Sequence, residues 1–500
     1  VWVMQGWMFG YQRTIWDYET LGALVSRVPD DKMLLLDLAV DYNRHFWHSE
    51  VNWEYYKGFY NKQWVYSVIP NMGGKTGMTG VLDFYANGHL EALSSSNRGN
   101  LVAHGLAPEG IENNEVLYEL VTDAGWSDHR MDVRDWLKQY SINRYGKAPA
   151  QLMKAWDYLL KSVYGTFTDH PRFNWQFRPG TVKNGSIYMT EDYFRGLEAF
   201  LSASGELKDS PYYLTDLCEM TAHYLGGKAE ILTRQIDQEY LLGDTLQAHF
   251  LQSRFETFML GMDRILSQHP TLRLDRWVSF ASKAARTEAQ RKQYEMNARR
   301  IVTVWGPPVD DYSARMWSGL IGQYYLGRWK EYYRGREKGE AVDLASWERN
   351  WVENNRDTYK WNSGLDIVAF AREMFALSQD VSSSSLLLDR PGMVGTWSLK
   401  PDESRELVFN IPARMLKGLK GISIECLKGS GMIECTGYVL EGDGQVVASS
   451  SDRVSSGQGK LHYTLEMPEK VNANNGCLLK LTLKSSGGNA AGIILGVNDL

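Results

Sequence analysis

Leu101-Val102-Ala103-His104-Gly105-Leu106-Ala107-Pro108-Glu109-Gly110 is the stretch whose reading decides the first part of this chain. The apolar run to Leu106 predicts a buried strand, and Pro108 and Gly110 stop it. Glu109 is therefore set in a tight turn directly past a strand end. Catalytic groups of α/β barrels sit at the mouth formed by the carboxyl ends of the strands, which makes Glu109 the leading candidate for chemistry. A glutamate is in general a solvated surface residue, so the rest of the chain has to support that reading.

Three more apolar runs precede it: Val1 to Trp7, Met33 to Leu38, and Trp64 to Ile69. Helical stretches at Ile15 to Val28 and Gly77 to Gly88 lie between the runs, spaced as in βα units. Near-continuous apolar strands alternating with helices predict a parallel sheet covered on both faces. Four such units make half of an eight-stranded barrel, with two raw edges. The expectation is that the missing N-terminal half lies upstream of Val1 or on another chain.

From about residue 115 the apolar spacing becomes helical, beginning with Leu117, Leu120 and Val121 and continuing to about 378. The charges of residues 228–268 and 280–302 fit the solvated faces of long helices. A serine-rich stretch, Ser378 to Ser385, reads as a linker. Beyond it seven short alternating runs predict a β-sandwich: 406–411, 421–426, 432–440, 446–450, 461–467, 477–483 and 492–497. The expected division is 1–125, the C-terminal half of a (β/α)8 barrel; 126–380, an all-α domain; and 386–500, a β-sandwich module. Only Trp397 of the 18 tryptophans lies past residue 380, which favours a structural or docking role for that module over a sugar platform.

Composition narrows the function. Five hundred residues, 43% hydrophobic, suffice for two or three cores. The net charge of −6, with no basic cluster among aromatics, argues against nucleic acid, and no apolar run approaches the ~18 residues of a membrane span. Cys218, Cys426, Cys435 and Cys477 fit neither a zinc pattern nor a disulfide framework. An aromatic content of 12%, with 18 Trp and 28 Tyr, is compatible with plain core and also with faces that pack on pyranose rings. Gly73-Gly74-Lys75-Thr76 fails as a phosphate loop because Ile69 stands where the first glycine is required. His45 and His48 lack the partners of a zinc site, and no metal or cofactor is implied. Hydrolysis through carboxylates is what remains.

Gln5-Gly6-Trp7-Met8-Phe9, Asp37-Leu38, Asn71-Met72-Gly73-Gly74, Gly105 to Ile111 with Asn114-Glu115-Val116, Leu160 to Tyr164, and Trp305-Gly306-Pro307 followed by Asp311-Tyr312 occur in that order. Over roughly residues 1–375 this series resembles the α-N-acetylglucosaminidases of glycoside hydrolase family 89. The resemblance implies a retaining exo-glycosidase acting on terminal α-linked N-acetylglucosamine, with Glu109 as nucleophile. It further implies a sugar pocket lined by Trp7, Leu38, Ile69, Asn71, Met72, His170, Trp305 and Tyr312. The unmatched C-terminal module suggests a bacterial member, secreted, periplasmic or at the cell surface. Two features depart from the family. The segment after Trp305-Gly306-Pro307 is short, and the family's general acid, in an Asn-Glu pair on the strand before Gln5-Gly6-Trp7, falls upstream of Val1. Asp37, Asp41 and Asp311 are the acids left within the chain, each equally explained as a strand-end, helix-cap or polar-network residue. Glu115 reads as a first-turn residue favoured by the helix dipole. The alternative reading is a non-catalytic glycan-binding protein or an inactive fragment.

Overall fold

The computed structural model describes residues 1–500 apart from 48, 75–76, 111–113, 168–172, 181–189, 307–309, 356–363, 383–389, 391, 417, 457–459, 466–475 and 498–500. His170 and Pro307 therefore lie outside the described residues. The contacts group the chain into two compact units, Val1–Glu230 with Glu256–Asp380, and Ile231–Phe255 with Val381–Leu500.

The first unit begins with strands β1 (Trp2–Gln5), β2 (Met33–Asp37), β3 (Gln63–Val68) and β4 (Asn100–Leu106), all parallel and in that spatial order. The two inner strands carry the buried residues Leu35, Trp64, Val65 and Val68. The run ending at Leu106 is a strand, as its sequence predicts, but not a buried one. Among the described residues it pairs only with β3, and Val102 is 49% exposed. Among the described residues β1 pairs only with β2, leaving Trp2 and Val3 at 68% and 62% exposure.

Helices α1 (Trp7–Tyr11), α2 (Tyr18–Val25), α3 (Val40–His45), α4 (Asn52–Tyr55) and α5 (Leu82–Ser94) connect these strands. Two begin later than the hydrophobic spacing suggests, for local reasons. Asp17 caps α2 by accepting the Thr20 N–H at 2.7 Å. Gly80 has φ +120°, a conformation no helix contains, and Gly80 and Leu82 instead donate N–H bonds to Thr166 and Tyr164 carbonyls.

The helical part runs through α6 (Glu115–Ala124), α7 (Val133–Tyr145), α8 (Ala150–Leu159), α9 (Glu191–Ser202), α10 (Ser204–Leu207), α11 (Pro211–Leu241), α12 (Thr245–Leu266), α13 (Leu274–Lys283), α14 (Glu288–Ile301), α15 (Leu326–Lys338), α16 (Leu344–Asn354) and α17 (Ile367–Leu377). The sequence reads 211–268 as one helical segment. Gly243, at φ +73°, breaks it into α11 and α12.

In the second unit the tip of that hairpin joins two antiparallel sheets. The strands are β5 (Met393–Leu399), β6 (Ser404–Ile411), β7 (Gly421–Gly429), β8 (Met432–Gly442), β9 (Gln445–Ser450), β10 (Val454–Ser456), β11 (Lys460–Thr464), β12 (Cys477–Ser486) and β13 (Ala490–Val497). One sheet has the order β10-β8-β12-β6 with β9 also on β8, the other β11-β7-β13-β5. Strict alternation in β12 sends Cys477, Leu479, Leu481 and Leu483 inward to meet Ile422, Ile424 and Ile494 of the opposite sheet. β5 and β10 are additions to the seven strands expected. All four cysteines are free thiols. Lys428 of β7 ties the hairpin tip to the sheets through ion pairs with Glu239 and Asp244.

Candidate active site

Strand ends of the parallel sheet converge on one rim. Gly6 turns the chain out of β1, its N–H on the Leu36 carbonyl at 2.8 Å, and Trp7 opens α1 immediately. Past β2, Asp41 on α3 closes the end of β3. Its two carboxylate oxygens lie 3.2 Å from the Ile69 N–H, with further bonds from the Tyr42 N–H at 3.1 Å and the Tyr85 hydroxyl at 2.9 Å. Past β4, the Ala107 N–H bonds the Val68 carbonyl at 2.9 Å and carries the pairing up to Pro108. Glu109 then leaves the sheet.

An apolar cluster of Ala39, Tyr42 and Ile69, with Trp7, Trp47, Met72, Ala107 and Phe167 packed against it, occupies the rim beside that turn. Three expected pocket residues, Trp7, Ile69 and Met72, thus meet. Asn71 is fully buried between the last two in sequence, and Leu38 is half-buried past the end of β2.

Gly73 connects this cluster to the carboxylate. Its φ of +75° is left-handed, which suits glycine, and its N–H donates to Glu109 Oε2. The carbonyl of the same residue accepts from the Ser313 hydroxyl and from Arg315 at 3.0 Å. Arg315 also holds the Ser313 carbonyl at 2.9 Å, and the Tyr118 hydroxyl donates to the Gly110 carbonyl at 2.9 Å. Glu109 itself is exposed at the rim.

Ser313 follows Tyr312, whose ring meets Trp305 edge-on at 5.4 Å between centroids. Trp305 (φ +42°) and Asp311 (φ +59°) both hold left-handed conformations that bulky or branched side chains disfavour. Asp311 is fixed by Arg328, fully buried on α15, which also donates to Glu348 at 2.8 Å and to the Gln176 carbonyl at 2.7 Å. The structure therefore brings Trp7, Ile69 and Met72 into one cluster, bonds Glu109 to Gly73 beside it, and pairs Trp305 with Tyr312 next to Ser313, while His170 is outside the described residues. Ser313 and Arg315 carried no sequence signal. Gly73 did, within Asn71-Met72-Gly73-Gly74.

Burial pushes the Asp37 carboxyl up to about 7, opposed by a hydrogen bond from Asn52 at 2.8 Å and by nearby Arg13. Burial likewise raises Asp41 to about 7 against the donors already named. Asp311 shares a buried cation with Glu348. Each of the three is at most 3% exposed. No cluster of three or more His, Cys, Asp or Glu suited to a metal ion occurs among the described residues. No described helix is long and apolar enough to cross a membrane.

Residues 1–128 match the model of the α-N-acetylglucosaminidase tim-barrel domain, and residues 136–376 match the model of the same enzymes' C-terminal domain. The chain belongs to the α-N-acetylglucosaminidase family, glycoside hydrolase family 89. It is 29% identical over 347 residues to human α-N-acetylglucosaminidase, covering 66% of this chain and 44% of the human one. It is similar in structure to a family 89 glycoside hydrolase from Clostridium perfringens solved with 2-acetamido-1,2-dideoxynojirmycin. That match has a TM-score of 0.67 and 25% identity over 77% of this chain and 45% of the other. The same fold similarity, with a TM-score of 0.66 and 24% identity, extends to the clostridial protein in complex with GlcNAc-α-1,4-galactose. The chain spans less than half the length of these relatives. Its architecture contains barrel-type α/β structure followed by helical and β parts.

Proposed function

We propose that this chain carries the nucleophile and one side of the sugar pocket of a retaining exo-glycosidase that releases terminal α-linked N-acetylglucosamine through a covalent glycosyl-enzyme intermediate. The observation that carries the reading is Glu109 Oε2 bound to the Gly73 N–H at the carboxyl rim of a parallel sheet, beside Trp7, Ile69 and Met72.

The chemistry of the linkage calls for such a group. In an α-linked N-acetylglucosamine the 2-acetamido group is cis to the leaving oxygen, so it cannot attack the anomeric carbon from the opposite side. The enzyme must supply a carboxylate for that attack and, about 5 Å away, a carboxylic acid to protonate the departing oxygen. Fixed on one side by the Gly73 N–H, Glu109 has its other oxygen for attack. Trp7, Met72 and the Trp305–Tyr312 pair offer apolar faces to the pyranose, with Leu38, Ile69 and Asn71 completing the wall. Asp37, Asp41 and Asp311 are buried and engaged, so the acid is assigned to the Asn-Glu pair that the family carries on the preceding barrel strand. The sheet of residues 1–125 is accordingly the C-terminal half of a (β/α)8 barrel, 126–380 the helical domain and 386–500 the sandwich. The exposed apolar edges at Trp2, Val3 and Val102 support the half-barrel reading, because further strands would cover them.

The test is Glu109→Gln in the intact protein, assayed with an aryl α-N-acetylglucosaminide. Release should fall by at least about 10³-fold with the thermal melt unchanged. A fluorinated sugar that turns over slowly should label the peptide containing Glu109. Undiminished turnover would refute the assignment, and binding without turnover by the unaltered protein would identify a glycan-binding protein instead.

A further inference from the structure

The Glu109 carboxylate and the backbone that leads to it are both set from one peptide unit, the one joining Val68 to Ile69 at the end of β3. Its carbonyl accepts the Ala107 N–H at 2.9 Å, and Ala107 stands two residues before Glu109. In the other direction Pro70, whose ring fixes its φ, carries the course set at Ile69 into Asn71-Met72-Gly73. There the Gly73 N–H donates to Glu109 Oε2. Residues 68–73 and 107–109 thus close into a ring through two hydrogen bonds.

The N–H of that same peptide faces Asp41, an acid that the proposed reaction does not use. Both oxygens of Asp41 accept the Ile69 N–H at 3.2 Å. Oδ1 also accepts the Tyr42 N–H of α3 at 3.1 Å, and Oδ2 accepts the Tyr85 hydroxyl of α5 at 2.9 Å. One fully buried carboxyl therefore ties two helices to the end of β3. A trans peptide is flat, with its N–H and C=O pointing opposite ways across it. Turning the plane far enough to take the N–H off Asp41 would swing the carbonyl off Ala107. A fixed acceptor on one side thus fixes the bond on the other.

We propose that Asp41 is a positioning residue for Glu109: by clamping the Val68–Ile69 peptide it fixes both the stem of the turn that carries the nucleophile and the N–H that orients its carboxylate. The inference rests on Glu109 being the nucleophile, since it concerns the support of that residue. The role asks Asp41 for an acceptor, not for a charge or a proton. An asparagine meets it, with the amide oxygen in place of Oδ1 taking the Tyr42 and Ile69 N–H groups and the amide nitrogen donating to the Tyr85 hydroxyl oxygen. An alanine supplies none of these bonds. Misplacing an attacking group by about 1 Å costs on the order of 10²-fold in rate, so a partial loosening of the ring is worth about tenfold.

The experiment compares aryl α-N-acetylglucosaminide hydrolysis by the intact protein with that by Asp41→Ala and Asp41→Asn, with Glu109→Gln alongside. Inhibition by free N-acetylglucosamine is measured in each, because product binding needs the pocket but not the attacking carboxylate. Asp41→Ala should lose about tenfold in kcat while its inhibition constant for N-acetylglucosamine moves by less than about threefold. Asp41→Asn should keep kcat within about threefold of the unaltered protein. Should the alanine variant not fold, Asp41→Thr takes its place, being close to aspartate in volume with a hydroxyl one bond too short to reach the Ile69 N–H. The inference falls if a folded Asp41→Ala or Asp41→Thr keeps full kcat, or if product binding weakens as much as kcat, which would mark a general loss of pocket shape. It falls equally if Asp41→Asn loses as much kcat as the alanine, because Asp41 would then be needed for its charge or proton. An inactive Glu109→Gln together with any of these results overturns this inference and leaves the nucleophile standing. An active Glu109→Gln overturns both.

Discussion

Replacing Arg328 by methionine tests how the helical part supports the candidate site. The guanidinium is fully buried and bonds Asp311 at 3.1–3.2 Å, Glu348 at 2.8 Å, the Tyr324 hydroxyl at 3.3 Å and the Gln176 carbonyl at 2.7 Å. Methionine fills similar space without the charge. Glu348 keeps a second cation, Arg178, with bonds at 3.1 and 3.2 Å from its Nε, whereas Asp311 loses the buried guanidinium that faces it. Removing one side of a buried pair costs about 3–5 kcal/mol, because the other charge is left in a medium that cannot solvate it. The retained Arg178 pair puts the expectation at about 3 kcal/mol, or roughly 4 °C in melting temperature for a unit of this size. Asp311 also leads into Tyr312 and Ser313, and the Ser313 hydroxyl caps the Gly73 carbonyl behind Glu109. Activity of the intact protein should therefore fall about tenfold below the melt, a change of about 1.4 kcal/mol in transition-state stabilisation. Calorimetry on Arg328→Met and on the double variant Arg328→Met/Asp311→Asn separates charge from packing. The double variant should regain at least half the loss. A single variant melting within about 2 °C of the unaltered protein, or a double variant no better than the single, would refute the argument.

Arg315→Met removes the 3.0 Å bond to the Gly73 carbonyl and should lower kcat more than stability, because Gly73 presents its N–H to Glu109; a proportionate loss of both would contradict this. Asp37→Asn tests a pH dependence. The folded carboxyl sits near 7 against an ordinary 3.8, so the folded state holds the proton more tightly, and the stability it contributes is full below about 3.8 and lost as pH rises through 7. The unaltered protein should lose up to about 1.4 kcal/mol per pH unit inside that window from this group, and the asparagine variant should show a flatter slope in urea melts at pH 5, 6 and 7. Equal slopes would remove Asp37 from the account. In the second unit, a double-mutant cycle between Lys428 and Asp244, 2.7 Å apart and each about a third exposed, should give about 0.5–1 kcal/mol, with zero coupling showing that the Asp244 arm of the Lys428 pair adds nothing.

Local chemistry made much of this protein legible. The period-two and continuous apolar runs announce the strands, the helical spacing announces residues 115 to 378, and Pro108 and Gly110 place Glu109 just past β4. Boundaries slipped where a single backbone conformation outweighed hydrophobic spacing, as at Gly80 and Gly243. The strand before Glu109 looked buried because apolar content reports the strand's preference, not its neighbours, and at an edge that preference goes unmet.

What the tertiary structure alone decided is the set of contacts between residues distant in the chain. Ser313 and Arg315 reach Gly73 across 240 and 242 positions. Neither pairing has a spacing that periodicity could reveal. Residues 231–255 read as ordinary helix yet group with the C-terminal sheets. Sequence by itself set which segments become strands or helices, because those choices depend on neighbours a few residues away. The orientation of the Glu109 carboxylate depends on hydrogen bonds closed only when the whole chain has folded.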